Sequence, residues 1–167
     1  MSTQKEELRK PLWSKRLALN GDERGSKSQV IAERLIQEVN WPGIKSLHIY
    51  SSVSEWNEVD TRPILNFLNE SWSGIETVRP STSPGPIVSE QLFDLIIVPC
   101  LGFDADCHRI GLGGGYYDRF LASQSQALKI GLCFQNAFVS EGLPHEQHDI
   151  PLDKIITEEQ TIIPRRH

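Results

Sequence analysis

The sequence predicts an α/β fold, a three-layer structure in which helices flank a mostly parallel central sheet. One observation is the continuous apolar run at residues 95–98, which is typical of a strand covered by helices on both faces. A second is the succession of helix-like and strand-like segments along the chain, which indicates a layered α/β protein. With 167 residues and 38% hydrophobic content the chain fills one core but not two. We therefore predict a single domain over residues 1–167.

Composition narrows the classes of function. The net charge of −5 argues against broad nucleic-acid binding, although residues 1–34 carry eight Lys/Arg against five Asp/Glu and could meet a polyphosphate. No secretory signal and no apolar run of membrane-spanning length is present. We expect a cytoplasmic monomer without a membrane partner. Cys100, Cys107 and Cys133 form no CxxC pair, which favours reduced thiols over a metal site.

The first predicted helix covers residues 4–19, with Pro11 separating its first turn or two from the remainder. Lys5 and Arg9 are four residues apart and share one face of this helix. On spacing alone, a solvated helix face is the simpler interpretation. A phosphate-binding face is the alternative.

The next two elements are a helix and a strand. Ser28 is the predicted cap of a helix that runs to about Val39. Residues 46–53 alternate in hydrophobicity and predict a strand. His48, within that strand, is expected to be a packed or edge histidine rather than a ligand.

The loop after this strand contains a candidate ligand contact. Asp60 or Thr61 would cap a helix that has Pro63 in its first turn, which explains Asp60 without a functional role. Val53 and Glu58 lie where the strand ends, and open α/β sheets bind ligands at the carboxyl ends of their strands. A surface carboxylate is the alternative interpretation of Glu58.

A glycine-rich loop follows the strand at residues 95–98 and a polar loop, and it precedes a predicted helix at residues 116–123. Glycine lets backbone N–H groups approach an anion closely, so the loop can hold a phosphate. Neither common nucleotide motif is present, because no Gly-Lys-Ser/Thr follows and Tyr116 replaces the last glycine of GxGxxG. A tight turn is the alternative. The glycines are Gly111, Gly113, Gly114 and Gly115.

The remaining segments complete the sheet. Residues 76–80 and 129–134 predict strands, and residues 81–90 are a Ser-, Pro- and Gly-rich loop. The loops after Val53, Val98 and Phe134 each follow a strand, so in a parallel sheet they should converge on one rim.

The strings VPCLGFD and RIGLGGGYYDR closely resemble the signature of the 5-formyltetrahydrofolate cyclo-ligase family, also called 5,10-methenyltetrahydrofolate synthetase. Departures are Cys107, where the family usually has glycine, Ile110 for leucine, and a segment at residues 81–90 that is shorter than the family's insert. Further matches are Lys5, Leu8 and Arg9 to KxxLR, Glu58 and Thr61 to ExxT, and residues 143–158 to LPxExHDxxLDxxxTE. The signature residues in register are Val98, Pro99, Phe103, Asp104, Arg109, Gly111, Gly113, Gly115, Tyr116, Tyr117, Asp118 and Arg119.

The resemblance implies ATP- and Mg²⁺-dependent ring closure of 5-formyltetrahydrofolate to 5,10-methenyltetrahydrofolate, with release of ADP and phosphate. It implies nucleotide binding by Lys5, Arg9, Arg109, Gly111, Gly113, Gly114, Gly115 and Tyr116, with Arg109 and Tyr116 also catalytic. It further implies folate contacts from Val53, Glu58 and Tyr117, and magnesium ligands in Asp118 and Asp149. A turn cap is the alternative interpretation of Asp149. Core packing of one tyrosine, and Arg119 as either a surface cation or an ion-pair partner of Asp118, stay open. A divergent paralogue with altered folate activity and a non-enzymatic binding module are the alternative functions.

Overall fold

The structure, a computed structural model, describes residues 2–80 and 91–165. The predicted α/β fold is confirmed. A six-stranded sheet has the order β2-β1-β3-β6-β7-β8, parallel throughout except that β8 pairs antiparallel to β7. Two short strands, β4 and β5, form a separate antiparallel hairpin. The strands are β1 (Ser46–Ile49), β2 (Glu76–Val78), β3 (Leu95–Pro99), β4 (Gly102–Phe103), β5 (Arg109–Ile110), β6 (Leu128–Leu132), β7 (Lys154–Ile156) and β8 (Thr161–Ile162).

Helices cover both faces of the sheet, and the central strand β3 shows this most directly. Leu95 and Ile97 pack into one apolar cluster together with residues of α2 and α3, while Ile96 and Val98 pack into a second cluster with α1 and α4. A strand buried on both faces needs apolar residues at every position, which explains the continuous run in the sequence. The helices are α1 (Ser2–Leu17), α2 (Gly21–Glu38), α3 (Arg62–Ser71) and α4 (Tyr116–Ala122).

The predicted interruption of the first helix at Pro11 is wrong, because α1 is continuous from Ser2 to Leu17. Proline removes one backbone hydrogen bond from a helix interior. That loss is offset here by tertiary contacts on both sides of the proline. Leu12 is buried in the core, and Lys5 and Arg9 hold the N-terminal half of the helix to other elements.

The predicted start of α2 at Ser28 is also wrong. The cap is Asn20, eight residues earlier, whose side chain accepts the Glu23 N–H at 2.8 Å in a capping box. Ser28 lies inside the helix, where its buried hydroxyl accepts the backbone N–H of Asp60 at 2.9 Å. Helix α2 therefore ends near the predicted residue but carries an additional contact to the loop after β1.

Strand β1 ends at Ile49 rather than at Val53, and the chain continues as an irregular segment into a short 3-10 turn over Ser54–Trp56. His48 is packed, as predicted. Its ring centroid lies 4.5 Å from that of Phe120, and burial lowers the pKa of His48 to about 4. This histidine is therefore neutral at physiological pH and belongs to the core.

Helix α3 begins after Thr61, and the side chains of Asp60 and Thr61 each form a hydrogen bond near its start. Asp60 Oδ1 accepts the N–H of Arg62 at 3.0 Å, whereas the Thr61 hydroxyl donates to the carbonyl of Tyr50 at 3.0 Å. The predicted loop at residues 81–90 lies outside the described residues. Within residues 2–80 and 91–165, no helix is both long enough and apolar enough to cross a membrane.

Candidate functional site

A cavity of about 490 Å³ opens beside the carboxyl ends of β1 and β3. One face of α1, the loop after β1, the glycine loop, the start of α4 and the segment at residues 146–149 form its walls. The loop after Phe134 is predicted to reach the same rim. Its first residues, 135–137, do not line the cavity, whereas Glu146, His148 and Asp149 further along the chain do. The structure brings every predicted site residue to this cavity: Lys5, Arg9, Val53, Glu58, Arg109, Gly111, Gly113, Gly114, Gly115, Tyr116, Tyr117, Asp118 and Asp149.

The glycine loop has a backbone that other residues adopt rarely. Gly113 has φ +107° and Gly115, at the cap of α4, has φ +66°. A Cβ atom on Gly113 would lie 3.3 Å from Cζ of Arg9. Glycine at these positions therefore permits both the turn and the close approach of the arginine, as a loop that surrounds an anion requires.

Helix α1 is attached to the opposite wall of the cavity by its two predicted basic residues. Arg9 Nε donates to the carbonyl of Gly111 at 2.9 Å, and Lys5 Nζ donates to Asp149 Oδ2. The Lys5 and Asp149 side chains are 15% and 12% exposed. The interpretation of this face as freely solvated is therefore wrong, because it forms a wall of the cavity.

Arg109 is held rigidly at the base of the glycine loop. Its guanidinium donates to Asp118 Oδ1 at 2.9 Å and to the carbonyl of Ile150 at 2.7 Å, and its side chain is 7% exposed. The ion-pair partner of Asp118 is thus Arg109. Arg119 is exposed, so of its two predicted interpretations the surface cation is the correct one.

Two carboxylates in the cavity have shifted pKa values of opposite sign. Burial raises the pKa of Glu58, although a hydrogen bond from the Val53 N–H at 2.8 Å opposes that shift. Burial alone would raise the pKa of Asp149 as well, but the hydrogen bonds and charge of Lys5 and the N–H of Glu146 lower it overall. The alternative of Glu58 as a surface carboxylate is wrong, since this residue is 6% exposed.

Tyr116 and Tyr117 line the cavity with rings in edge contact, 4.7 Å between centroids. Both also pack against the second apolar cluster. Burial raises the pKa of both phenols. Each tyrosine therefore combines core packing with a cavity-facing surface, and both hydroxyls are protonated at physiological pH.

Sequence comparison assigns this arrangement to a family. Residues 67–158 match the model of the 5-formyltetrahydrofolate cyclo-ligase family. A protein of Mycoplasma pneumoniae named 5-formyltetrahydrofolate cyclo-ligase is 30% identical over 169 residues, which cover 93% of this chain and 99% of that protein. The chain belongs to the 5-formyltetrahydrofolate cyclo-ligase family. The mouse protein of the same name is 26% identical over 197 residues, covering 95% of this chain and 96% of the mouse protein.

Solved structures agree with this cyclo-ligase assignment. A 5,10-methenyltetrahydrofolate synthetase from Mycoplasma pneumoniae superposes with a TM-score of 0.77 at 28% identity, covering 92% of this chain and 98% of that one. The Aquifex aeolicus 5,10-methenyltetrahydrofolate synthetase superposes with a TM-score of 0.78 at 27% identity, covering 98% and 94%. The predictions of family, fold and enzyme class are therefore confirmed. Since 169 aligned positions span almost the whole Mycoplasma pneumoniae protein, that relative is about as short as this chain.

Asp118 and Asp149 are the carboxylates of the cavity that could hold magnesium. Within the described ranges no group of three or more His, Cys, Asp and Glu side chains is arranged as a metal site. Asp118 and Asp149 each use one oxygen for a cation, and Asp149 Oδ1 lies 3.6 Å from the exposed His148 ring. Magnesium is commonly bound through one or two carboxylates plus substrate phosphates and water. The two aspartates fit that arrangement and do not form a closed protein cage.

Several residues that line the cavity were not predicted from the sequence. Arg16 is 5% exposed and lies on the same helix as Lys5 and Arg9, so the spacing along α1 was a usable signal. Trp56, 40% exposed, lines the cavity from the 3-10 turn, and nothing in its local sequence indicated that position. Other lining residues outside the predicted site include Glu6, Tyr50, Ser51, Glu146 and His148.

Proposed function

We propose that this protein converts 5-formyltetrahydrofolate to 5,10-methenyltetrahydrofolate, using ATP and Mg²⁺ and releasing ADP and phosphate. The observation that carries the proposal is the convergence of two kinds of residue in one cavity. Arg109 and the glycine loop form a surface suited to binding phosphate. Glu58 and Tyr117 form a surface suited to binding a flat heterocycle. Family membership supports the folate substrate.

The chemical difficulty lies in the formyl group, whose oxygen is a poor leaving group. ATP would supply the phosphoryl group that makes this oxygen able to leave as phosphate when N10 closes the ring. Reactions of this kind depend on positioning and charge neutralisation more than on a covalent protein nucleophile. The residues of this cavity are suited to both tasks.

The basic side chains of the cavity and the glycine loop would neutralise the charge of the phosphates. Arg109, Lys5 and Arg9 would oppose the negative charge of the triphosphate, and the N–H groups of the loop would donate to its oxygens. Asp118 and Asp149 would hold magnesium through their oxygens beside the phosphates. Arg109 is fixed by Ile150 and Asp118, so its guanidinium is already oriented before ligands arrive.

Positioning belongs to the other end of the cavity. Glu58, oriented by its hydrogen bond to the Val53 N–H, would accept from N–H groups of the folate ring. Tyr117 would form an apolar wall beside the ring, and Tyr116 would lie between the folate and the phosphates.

The test is absorbance at the methenyl-folate band while the protein is mixed with 5-formyltetrahydrofolate, ATP and Mg²⁺. An increase that requires both ATP and Mg²⁺ is expected. Glu58→Gln should lower the rate through weaker folate binding, and Glu55→Gln, an exposed carboxylate in the same loop, is the matched control. No increase, with ATP binding intact by calorimetry, would contradict the proposal and indicate a paralogue with another substrate.

Three further expectations stay predictions. The buried free thiols Cys100, Cys107 and Cys133 are compatible with a reducing, cytoplasmic environment. A monomeric state and a single domain over residues 1–167 complete the proposal. Light scattering of the purified protein would test the monomer.

A further inference from the structure

Arg16 is a buried cation at the floor of the cavity. It is 5% exposed, its Nη2 donates to the carbonyl of Cys100, and its guanidinium lies 5.7 Å from the ring centroid of Trp13. In residues 2–80 and 91–165, the bond to Cys100 is the one hydrogen bond that the Arg16 side chain donates. A guanidinium has five N–H donors, and buried donors normally have acceptors. Among the described residues, the remaining Arg16 donors are not fully buried unpaired atoms. They reach the cavity that this residue lines, where an acceptor on a ligand can take the place of water.

The position of Arg16 is fixed by the loop that carries Glu58. Asn57, in a left-handed conformation with φ 49°, donates from its side-chain amide to the carbonyls of Arg16 at 3.1 Å and Leu19 at 2.8 Å. These bonds tie the C-terminal end of α1 to the residue next to Glu58. Arg16 and Glu58 are therefore held together as two sides of the same end of the cavity.

Arg16 and Glu58 are close but do not form an ion pair. The charge of Arg16 lowers the pKa of Glu58 against the larger effect of burial. Glu58 uses Oε2 for the Val53 N–H, and its Oε1 has no hydrogen bond to any residue that the structure describes. A free acceptor and a set of free donors thus face the same cavity without satisfying each other.

This end of the cavity is separate from the phosphate-binding end. Arg9 contacts the glycine loop, and Arg16 lies seven residues further along α1, about 10 Å at 1.5 Å per residue. A ligand group at Arg16 is therefore the part of the substrate that binds beside Glu58. A reduced pteridine presents there an edge with a 4-oxo acceptor next to the N3–H and 2-amino donors.

We propose that Arg16 donates to the 4-oxo oxygen of the folate ring while Glu58 accepts from the neighbouring N–H groups, so that Arg16 selects 4-oxo over 4-amino pteridines. The inference rests on the proposed folate substrate. A 4-amino group would direct N–H donors at the donors of Arg16, and N3 of such a ring carries no hydrogen for Glu58. Both residues therefore contribute to the discrimination, because unpaired polar groups in a site weaken binding strongly. Arg16 is thereby a specificity-determining residue at the site of the proposed reaction.

The test compares binding of 5-formyltetrahydrofolate and its 4-amino analogue by calorimetry. The unaltered protein should bind the 4-oxo ligand at least tenfold more tightly, as loss of a charged hydrogen bond predicts. Arg16→Gln should weaken 5-formyltetrahydrofolate binding by about tenfold and the analogue by less than about threefold, which lowers the preference at least about threefold. Lys15→Gln, an exposed neighbour on the same helix, is the charge-matched control and should leave both affinities unchanged.

Further arms separate the possible failures. Arg16→Lys keeps the charge but loses the planar fork of donors, so it should show part of the same loss if Arg16→Gln does not fold. Equal binding of both ligands by the unaltered protein would overturn the inference. So would a variant in which the KM for ATP increases while the KM for folate does not, because Arg16 would then serve the phosphates. Failure of the proposed function is distinct: the unaltered protein would form no methenyl product, and both proposals would fall.

Discussion

Gly113→Ala tests whether the unusual backbone of the glycine loop serves nucleotide binding. Gly113 has φ +107°, a conformation that residues with a Cβ atom rarely adopt. The added methyl group would also lie 3.3 Å from Cζ of Arg9, the residue that donates to Gly111. The substitution therefore strains the loop and displaces Arg9, a cation of the proposed phosphate-binding site.

The expected magnitude follows from the backbone strain. A residue held in such a region costs about 1–3 kcal/mol. Because the loop is exposed, the free variant can relax, and its free energy of unfolding should change by less than about 1 kcal/mol. Binding must restore the strained conformation, so the cost appears in the affinity. At 1.4 kcal/mol per factor of ten, ATP should bind about 5-fold to 150-fold more weakly.

The assay is calorimetric titration with ATP in the presence of Mg²⁺, together with denaturant unfolding. Gly114→Ala is the matched control, because Gly114 is the next residue, has no left-handed φ and has no atom within 4 Å of an added Cβ. Equal loss of affinity in the two variants would refute the strain argument. A Gly113→Ala variant with unchanged ATP affinity would remove the loop conformation from nucleotide binding altogether.

Three other substitutions address the walls of the cavity. Arg109→Ala should weaken ATP binding and also lower the free energy of unfolding by about 1–3 kcal/mol, because it leaves the carboxylate of Asp118 without its partner; calorimetry and thermal unfolding measure the two effects. Asp149→Asn removes the ion pair with Lys5 and should raise the Mg²⁺ concentration for half-maximal turnover. The pKa of Asp149 is lower in the folded state than in the unfolded state. The ionised Asp149 therefore contributes fully to stability above about pH 3.9, the pKa of an unperturbed aspartate, and this contribution is lost as the pH falls through the lower pKa of the folded state. Unfolding curves of the Asp149→Asn variant and the unaltered protein should therefore converge in acid. Trp56→Ala should abolish quenching of the indole fluorescence by 5-formyltetrahydrofolate, because the exposed Trp56 ring lines the cavity.

Each of these expectations has a contrary outcome. An Arg109→Ala protein with unchanged thermal unfolding would show that the ion pair with Asp118 contributes little. A magnesium titration unaffected by Asp149→Asn would remove this aspartate from the metal. If Trp56→Ala keeps the quenching, the fluorescence change comes from another of the four tryptophans.

The parts of the fold that could be predicted are those that local composition determines. The apolar run at residues 95–98 became β3, and residues 129–134 became β6 with ends shifted by one or two positions. Strand β1 ends four positions before the predicted residue, and the start of α2 was misplaced although its signal, the capping box of Asn20 and Glu23, is local. The error at Pro11 arises because longer-range packing decides there. Leu12 packs so closely on Gly102 that a Cβ there would be 2.6 Å from it, and no local pattern at Pro11 predicts such anchoring.

The sequence predicts which residues line the cavity better than it predicts the contacts among them. The carboxyl ends of parallel strands meet at one edge, and the signature residues are contiguous in the chain, so their convergence required little more than the order of elements. The pair between Lys5 and Asp149 joins residues 144 positions apart and depends on how α1 docks. Arg16 lies on the same face of α1 as Lys5, so its direction could be predicted from the spacing, whereas its burial depends on how α1 docks.

Cys107 shows how a departure from the family signature is accommodated. Its φ of 59° explains why the family usually has glycine there, and a side chain in this conformation costs about 1–2 kcal/mol. The thiol is fully buried and contacts the carbonyl of Ile162 at 3.4 Å, so packing offsets the strain. Asp104 Oδ1 accepts the N–H of His108 at 3.0 Å and holds the same loop independently of residue 107. Cys107 does not line the cavity, whereas Arg109, two residues later, does. The substitution thus alters the support of the loop and leaves the groups that face the ligand unchanged.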